Sequence, residues 1–292
     1  MDRYKGQFAA QQRELIAQNV KNAEVRRRYL IDEIAYALFE QLISTTGKIS
    51  FLPTSEYKFL SDFDRGERTF LICRLYEHLI ARDHQPSASD FLLPEECAAM
   101  GEHIVYVQNY YTERAYEFFA EELHAPTVSY ASDFTDACAE VGEGLADLCI
   151  LPFRDGRWGA FHSFSRMPED YGLTVRAVCT VDRADGETMR LSLCGRGCSI
   201  PKNAKEIAVE FLFSSQEGED FEDVRHLVHV LGGQTVFAEA LPDRYTAMIS
   251  WRVTYKVQAE SLAPLLLGRR ILAPESELLG IYKMPSLFGG EG

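Results

Sequence analysis

Two arginines, a tryptophan and a histidine crowd into one short stretch, FRDGRWGAFH, as Arg154, Arg157, Trp158 and His162, with Asp155 between them. Guanidinium groups grip carboxylates through paired, charge-assisted hydrogen bonds, and an indole face stacks on a flat ring or a cation. A loop of this composition can therefore clamp a small carboxylated ring. It equally suits a solvated loop whose Trp158 fills space against the fold. His162 taken alone reads as a hydrogen-bonded structural histidine rather than an acid or base. Elsewhere the metal-ligating types are too sparse. Cys194-Gly-Arg-Gly-Cys198 has no second cysteine pair, and His226 and His229 share a helix with no third ligand, so no metal site is expected. No phosphate-binding loop, dinucleotide fingerprint or nucleophile elbow occurs, so no cofactor is expected.

The elements that must position this loop are legible just before it. Phe134, Ala137, Cys138, Val141 and Leu145 fall at helical spacing along one stripe. Ser132 and Asp133 can cap that helix, and Gly142 and Gly144 mark its end. Leu148 to Leu151 is a short continuous apolar run, suited to a strand covered on both faces, and Pro152 stops it. A helix feeding a buried strand, with a loop at the strand's carboxyl end, is how open α/β sheets place ligands.

The chain has 292 residues, 46% of them apolar, which is enough for a sizeable core and for more than one domain. A formal net charge of −14 argues against nucleic acid or an anionic membrane as partner and serves solubility. The seven cysteines lie mostly inside apolar runs, as Cys73, Cys138, Cys149 and Cys179 do. They read as small core residues in a reducing compartment. No apolar run approaches a membrane span, and the opening MDRYKGQFAAQQRE has no signal-peptide core, so a cytoplasmic protein is expected.

The periodicity divides the chain into three expected segments. Residues 1–98 read as helical, with one long helix over Gln11 to Ile43, a second over Glu67 to Arg82, and a linker at Asp83 to Ser89. Residues 99–200 read as an α/β lobe. It has strands at Ile104–Val107, around Val128 and at Leu148–Leu151, and a helix over Thr112–Leu123. Leu173–Val181 and Met189–Cys194 follow as strands joined by a turn, DRADGE. Residues 201–292 read β-α-β-β-α-β, the order of the split-βαβ, ferredoxin-like fold.

These segments carry a resemblance. Ala139 to Asp147, Leu151-Pro152-Phe153-Arg154-Asp155-Gly156 and Gly159-Ala160-Phe161-His162 resemble, in order and spacing, successive motifs of the prephenate dehydratases. In that family the chain leaves the first lobe, builds a second, and returns on a strand carrying Thr-Arg-Phe. Here Val181 and Met189 are separated by a turn, so the resemblance implies that the second lobe is missing. It also sets Met189-Arg190-Leu191 against Thr-Arg-Phe, and methionine has no proton to give a departing hydroxyl. Thr188 lies one position earlier, and on a strand that shift changes the face. Arg190 keeps a cation where a substrate carboxylate could dock, although an arginine on an exposed strand is also ordinary. The family's glycine-rich opening to the first lobe helix is replaced by Gln108 to Ala115, with Thr112 near the helix start.

The C-terminal segment resembles the ACT regulatory domain of the same enzymes, which binds an amino acid between paired copies. At the positions of that ligand loop stand Glu219, Asp220 and, after the next strand, Glu239, an acidic set that disfavours a ligand carboxylate. The N-terminal segment is similar in one spacing, Arg28 to Ile34, to the helical chorismate mutases. Solvated charges beside a core stripe account for that spacing equally well.

The expected architecture is thus α+β and multidomain. A mutase-like helical domain leads into a single lobe resembling half of a type 2 periplasmic-binding-like dehydratase domain, and an ACT-like domain ends the chain. The resemblance implies a divergent, shortened relative of the bifunctional chorismate mutase/prephenate dehydratases of phenylalanine biosynthesis. Such a relative would be a homodimer that binds a small aromatic or carboxylated metabolite or amino acid, or that pairs with a pathway enzyme. The alternative is an active prephenate dehydratase, a carbon–oxygen lyase, with or without mutase activity.

Overall fold

The computed structural model describes residues 2–43, 49–81, 86–98, 101–123, 126–153, 167–184, 186–201, 206–214, 218–241, 244–252 and 257–283. Within these, residues 2–11, 122, 206, 214, 218–219, 236–252 and 257–260 are described by backbone alone. Two compact units result, Met1–Pro86 and Ser87–Gly292. Residues 87–98, read above with the helices, fall in the second unit.

The first unit is built on α1 (Asp2–Leu42) and α2 (Arg65–Ala81), with a 3-10 helix at Thr54–Asp62 between them. Ile31, Ala35, Leu38, Phe39 and Leu42 of α1 are buried, as are Leu71, Ile72, Leu75 and Leu79 of α2. That is one stripe per helix, the pattern that buries apolar area without burying charge. At the stripe's margin Arg74 Nε donates to Asp32 Oδ1 at 2.6 Å, and His78 Nε2 stands 3.1 Å from the same oxygen. Arg27 pairs with Glu67.

The second unit is organised by one nine-stranded sheet, in the order β2-β1-β3-β5-β4-β9-β6-β8-β7. The strands are β1 (His103–Val107), β2 (Thr127–Ala131), β3 (Leu148–Pro152), β4 (Thr174–Asp182) and β5 (Thr188–Gly195), then β6 (Glu206–Ser214), β7 (Gln234–Leu241), β8 (Arg244–Arg252) and β9 (Glu277–Lys283). The helices are α3 (Tyr110–Glu122), α4 (Phe134–Gly142), α5 (Met167–Asp170), α6 (Gly218–Val230) and α7 (Val257–Leu272). β1, β2 and β3 run parallel, and β5 is antiparallel to both of its neighbours, β3 and β4. β6 to β9 pair antiparallel throughout.

Burial explains why the central strands read as unbroken apolar runs. β3 is buried at every residue. Its Leu148 and Ile150 join Ile104, Tyr106, Leu191 and Leu193 in the layer that includes Ala115 and Phe119 of α3. Cys149 and Leu151 face the other way, into the layer with Val105, Cys194 and the Ala137-Cys138-Val141 stripe of α4. Strands from the segments expected as the α/β lobe and the ACT-like domain meet at one parallel bridge, Val175 to Gly280. A Cβ on Gly280 would lie 2.7 Å from the Val175 carbonyl oxygen, so the junction requires glycine.

Candidate functional site

The site expected from the topology is the carboxyl edge of β1 and β3, where two helix N-termini and the start of β5 converge. At α3 the sequence has no glycine, and the local structure shows what replaces it. Asn109 is the N-cap, and its Oδ1 accepts from the amides of Tyr111 at 3.0 Å and Thr112 at 3.1 Å. Thr112 Oγ1 accepts from the Asn109 amide at 3.2 Å and donates to the Val107 carbonyl at 2.5 Å. Thr112, expected at a ligand, is fully buried and has its hydroxyl committed to this cap. The free amides that make a helix N-terminus an anion site are consumed internally.

The neighbouring helix is closed in the same way. Asp133 caps α4, its Oδ1 accepting from the Asp136 amide at 2.9 Å, and Ser132 donates to the Asp136 carboxylate. Three polar side chains, two of them acidic, thus occupy the place of an incoming anion. Tyr111 donates its hydroxyl to Glu187 Oε2 at 2.9 Å, which ties α3 to the β4–β5 turn. Burial, and after it this carboxylate, raises the Tyr111 phenol above its ordinary value. The turn itself is short, closed by Arg183 N to Glu187 O at 2.7 Å, with Gly186 at φ 87°.

The strand after the turn separates the three residues singled out from the sequence. Met189 packs into the α3-side layer with Leu191 and Leu193. Thr188 and Arg190 alternate with it and share the opposite face with Cys194. The exposed Thr188 donates its hydroxyl to Asp182 Oδ1 at 2.7 Å. The half-buried Arg190 accepts through its carbonyl from the Phe153 amide at 2.9 Å, which places it beside the end of β3. The Phe153 ring meets Tyr282 edge-on at 5.7 Å. Arg190 and Thr188 therefore share a face beside the exit of β3; half-buried Met189 packs against the core on the other face.

Arg154, Asp155, Arg157, Trp158 and His162 lie outside the described residues, as does Lys48. Arg28 is exposed on α1 of the first unit. Asp220 is half-buried in the first turn of α6, while Glu219 and Glu239 are described by backbone alone, in α6 and β7.

The sequence reading missed several buried polar groups on the α4 side of the sheet. Ser192 is 2% and Glu210 is 6% exposed, and Tyr282 donates its hydroxyl to Glu210 Oε2 at 3.4 Å. The alternation of β6 offered a signal, since Glu210 interrupts an otherwise apolar run. Cys138, Cys149 and Cys194 are buried in the same layer, and burial pushes the Cys194 thiol up to about 12. Such thiols stay protonated and inert. His103 Nε2 lies 2.9 Å from Ser129 Oγ, and its Nδ1 lies 3.2 Å from the Leu145 carbonyl, at the other end of β1. Among the described residues, no group of three or more His, Cys, Asp or Glu could hold a metal ion. No described helix is long and apolar enough to cross a membrane.

No protein-family model and no curated protein matches the sequence. Solved structures give partial likenesses. A chain described as GqqA, a novel type of quorum quenching acylase, is 16% identical, with 63% of this chain and 95% of that one covered at a TM-score of 0.42. Prephenate dehydratase from Streptococcus mutans is 12% identical, with 62% and 97% covered at a TM-score of 0.45. Prephenate dehydratase from Arthrobacter aurescens, in complex with L-Phe, is 12% identical, with 62% and 90% covered at a TM-score of 0.46.

Proposed function

We propose that the chain is a divergent, shortened relative of the prephenate dehydratases. In this reading it has lost the dehydration chemistry and binds a small aromatic or carboxylated metabolite, or pairs with and regulates a pathway enzyme. The observation that carries this reading is the β4–β5 turn, closed between Arg183 and Glu187. In the resembled family a whole second lobe intervenes there, and the ligand cleft lies between the two lobes. The self-capped α3 and the core-facing Met189 support the same reading, since neither leaves a donor for a departing hydroxyl. In this reading Arg154, Arg157 and Trp158, which follow β3 in the sequence and lie outside the described residues, are the cations and the ring for the ligand. An ACT-like domain, with Glu219, Asp220 and Glu239 at the positions of that domain's ligand loop and set against a ligand carboxylate, a homodimer and a cytoplasmic location complete the proposal.

The second reading, residual dehydratase activity, is favoured by one observation: Thr188 and Arg190 share a face beside the exit of β3. A donor hydroxyl and a carboxylate-binding cation are what that chemistry asks of a protein, and a positioned donor is worth roughly 10²–10⁴-fold. Incubating the purified protein with prephenate and with chorismate separates the two readings. The proposal expects no phenylpyruvate above the spontaneous rate at neutral pH, and no prephenate formed from chorismate. Saturable phenylpyruvate production that disappears in Thr188→Ala or Arg190→Ala would establish the enzyme instead. Binding is read separately, by thermal shift with aromatic acids. Arg154→Ala and Arg157→Ala should change stability by less than about 0.5 kcal/mol and abolish any stabilisation by ligand.

A further inference from the structure

His103 opens β1, and both of its ring nitrogens are engaged. Nδ1 lies 3.2 Å from the Leu145 carbonyl, and Nε2 lies 2.9 Å from Ser129 Oγ. A carbonyl oxygen only accepts, so the Nδ1 contact puts the proton of the neutral ring on Nδ1. Nε2 then presents its lone pair, and the Ser129 hydroxyl donates to it. The backbone of His103 is held as well, its amide donating to Asp147 Oδ2 at 3.1 Å. A hydroxyl, a base within reach of its proton and a third group that orients the base make the constellation of an activated nucleophile.

The strand register supplies a further part. β2 runs parallel to β1, with Thr127 opposite His103 and Ser129 opposite Val105. The Thr127 amide donates to the Glu102 carbonyl at 2.7 Å. In a parallel ladder alternate residues bond one neighbour, so Thr127, Ser129 and Ala131 turn their amides to β1 while Val128 and Tyr130 turn theirs away. β2 ends the strand order of the described sheet. The Tyr130 amide therefore points out of the sheet edge, where no described strand takes it. An amide directly after a nucleophile is placed to receive the negative charge of a tetrahedral intermediate. Ser129 and His103 are half-buried, and Leu145, whose carbonyl orients the ring, is 66% exposed. The hydroxyl is thus reachable, with an apolar side chain close by.

We propose that Ser129 and His103 form a nucleophile–base pair that hydrolyses small uncharged esters with an apolar acyl group. This activity is independent of the ligand reading above. Ser129 Oγ attacks the ester carbonyl carbon as its proton passes to His103 Nε2, and the Tyr130 amide donates to the oxyanion. The bond from that carbon to the alcohol oxygen then breaks, and the alcohol leaves with the proton from His103. Water, giving a proton to the same nitrogen, attacks the acyl-serine; the acid departs and Ser129 regains its proton. One ester and one water give one acid and one alcohol. The acyl chain lies against Leu145. An anionic substrate is disfavoured by the exposed Glu102 beside His103 and by the net charge of −14.

The test is reaction of the full chain with a fluorophosphonate, which phosphonylates activated serines, and with p-nitrophenyl butyrate. Ser129 should carry the phosphonate in peptide mass spectra, and the butyrate ester should be hydrolysed with saturation. Ser129→Ala and His103→Gln should each abolish both reactions, with circular dichroism unchanged. Proline on an edge strand removes an outward amide without breaking the ladder, so Tyr130→Pro should be slower than Tyr130→Ala by about 10²–10³-fold. An unlabelled Ser129 in the wild-type chain would overturn the proposal, and that result needs no variant to fold. So would saturable hydrolysis that survives Ser129→Ala, which would place the activity elsewhere. Equal rates in Tyr130→Pro and Tyr130→Ala would overturn the part given to the amide.

Discussion

If the N-terminus of α3 is closed by its own side chains, then opening it should cost stability and create an anion site. Asn109 is the residue to change. Its Oδ1 accepts from two amides, Tyr111 at 3.0 Å and Thr112 at 3.1 Å, and nothing else about it is buried in the core. Asn109→Ala removes this acceptor and should cost about 1 kcal/mol, within a range of roughly 0.5–2. In a unit of this size that is a fall in Tm of about 2–4 °C. Asn109→Gly should cost only a few tenths of a kcal/mol, because glycine leaves the amides open to water. Urea unfolding with hydrogen exchange at Tyr111 and Thr112 measures both effects. The freed amides should then respond to a carboxylate. Phenylpropionate should raise the Tm of Asn109→Gly and leave the wild-type helix terminus unaffected. An Asn109→Ala protein as stable as wild type, with unchanged exchange at these two amides, would refute the cap. Equal exchange protection of the wild-type and Asn109→Gly amides by phenylpropionate would refute the claim that the cap excludes an anion.

A buried ion pair offers a larger effect. Arg269 of α7, 2% exposed, holds Nη1 at 2.6 Å from Glu96 Oε1, although the guanidinium is not aligned for a hydrogen bond there. Glu96→Gln should therefore cost about 3–5 kcal/mol, and adding Arg269→Met should recover much of it in a double-mutant cycle. A cycle with no recovery would show that packing rather than charge holds this contact. In the first unit the Arg74 guanidinium, with His78 beside it, holds the Asp32 carboxyl below the usual carboxylate range. A depressed folded value means stability that is present above the unfolded pKa of about 3.9 and is lost as pH falls through the folded value. Acid titration of helicity should thus be less steep in Asp32→Asn than in wild type; identical profiles would remove this pair from the acid response.

The sequence by itself determined the elements. Helical stripes placed α1, α2, α4 and α6, and the unbroken run at Leu148 to Leu151 announced a strand covered on both faces, because such signals depend only on local spacing and burial. The turn between Val181 and Met189 was equally visible, since its length is a property of the chain. What lay beyond the sequence was every contact between distant residues. Nothing local to Gly280 says that β9 approaches Val175 closely enough to exclude a Cβ and fuse nine strands into one sheet. The candidate site divides the same way. Asn109 and Thr112 could be placed at a helix start from sequence, but only the folded geometry shows each capping the other and so spending the amides a ligand would need. Thr188, Met189 and Arg190 are consecutive, and strand alternation sets Met189 apart from the other two. Which face is covered was decided by α3, which packs on β4 and β5, while α4 packs on β1, β2 and β3, a fact of tertiary structure because both helices come from elsewhere in the chain.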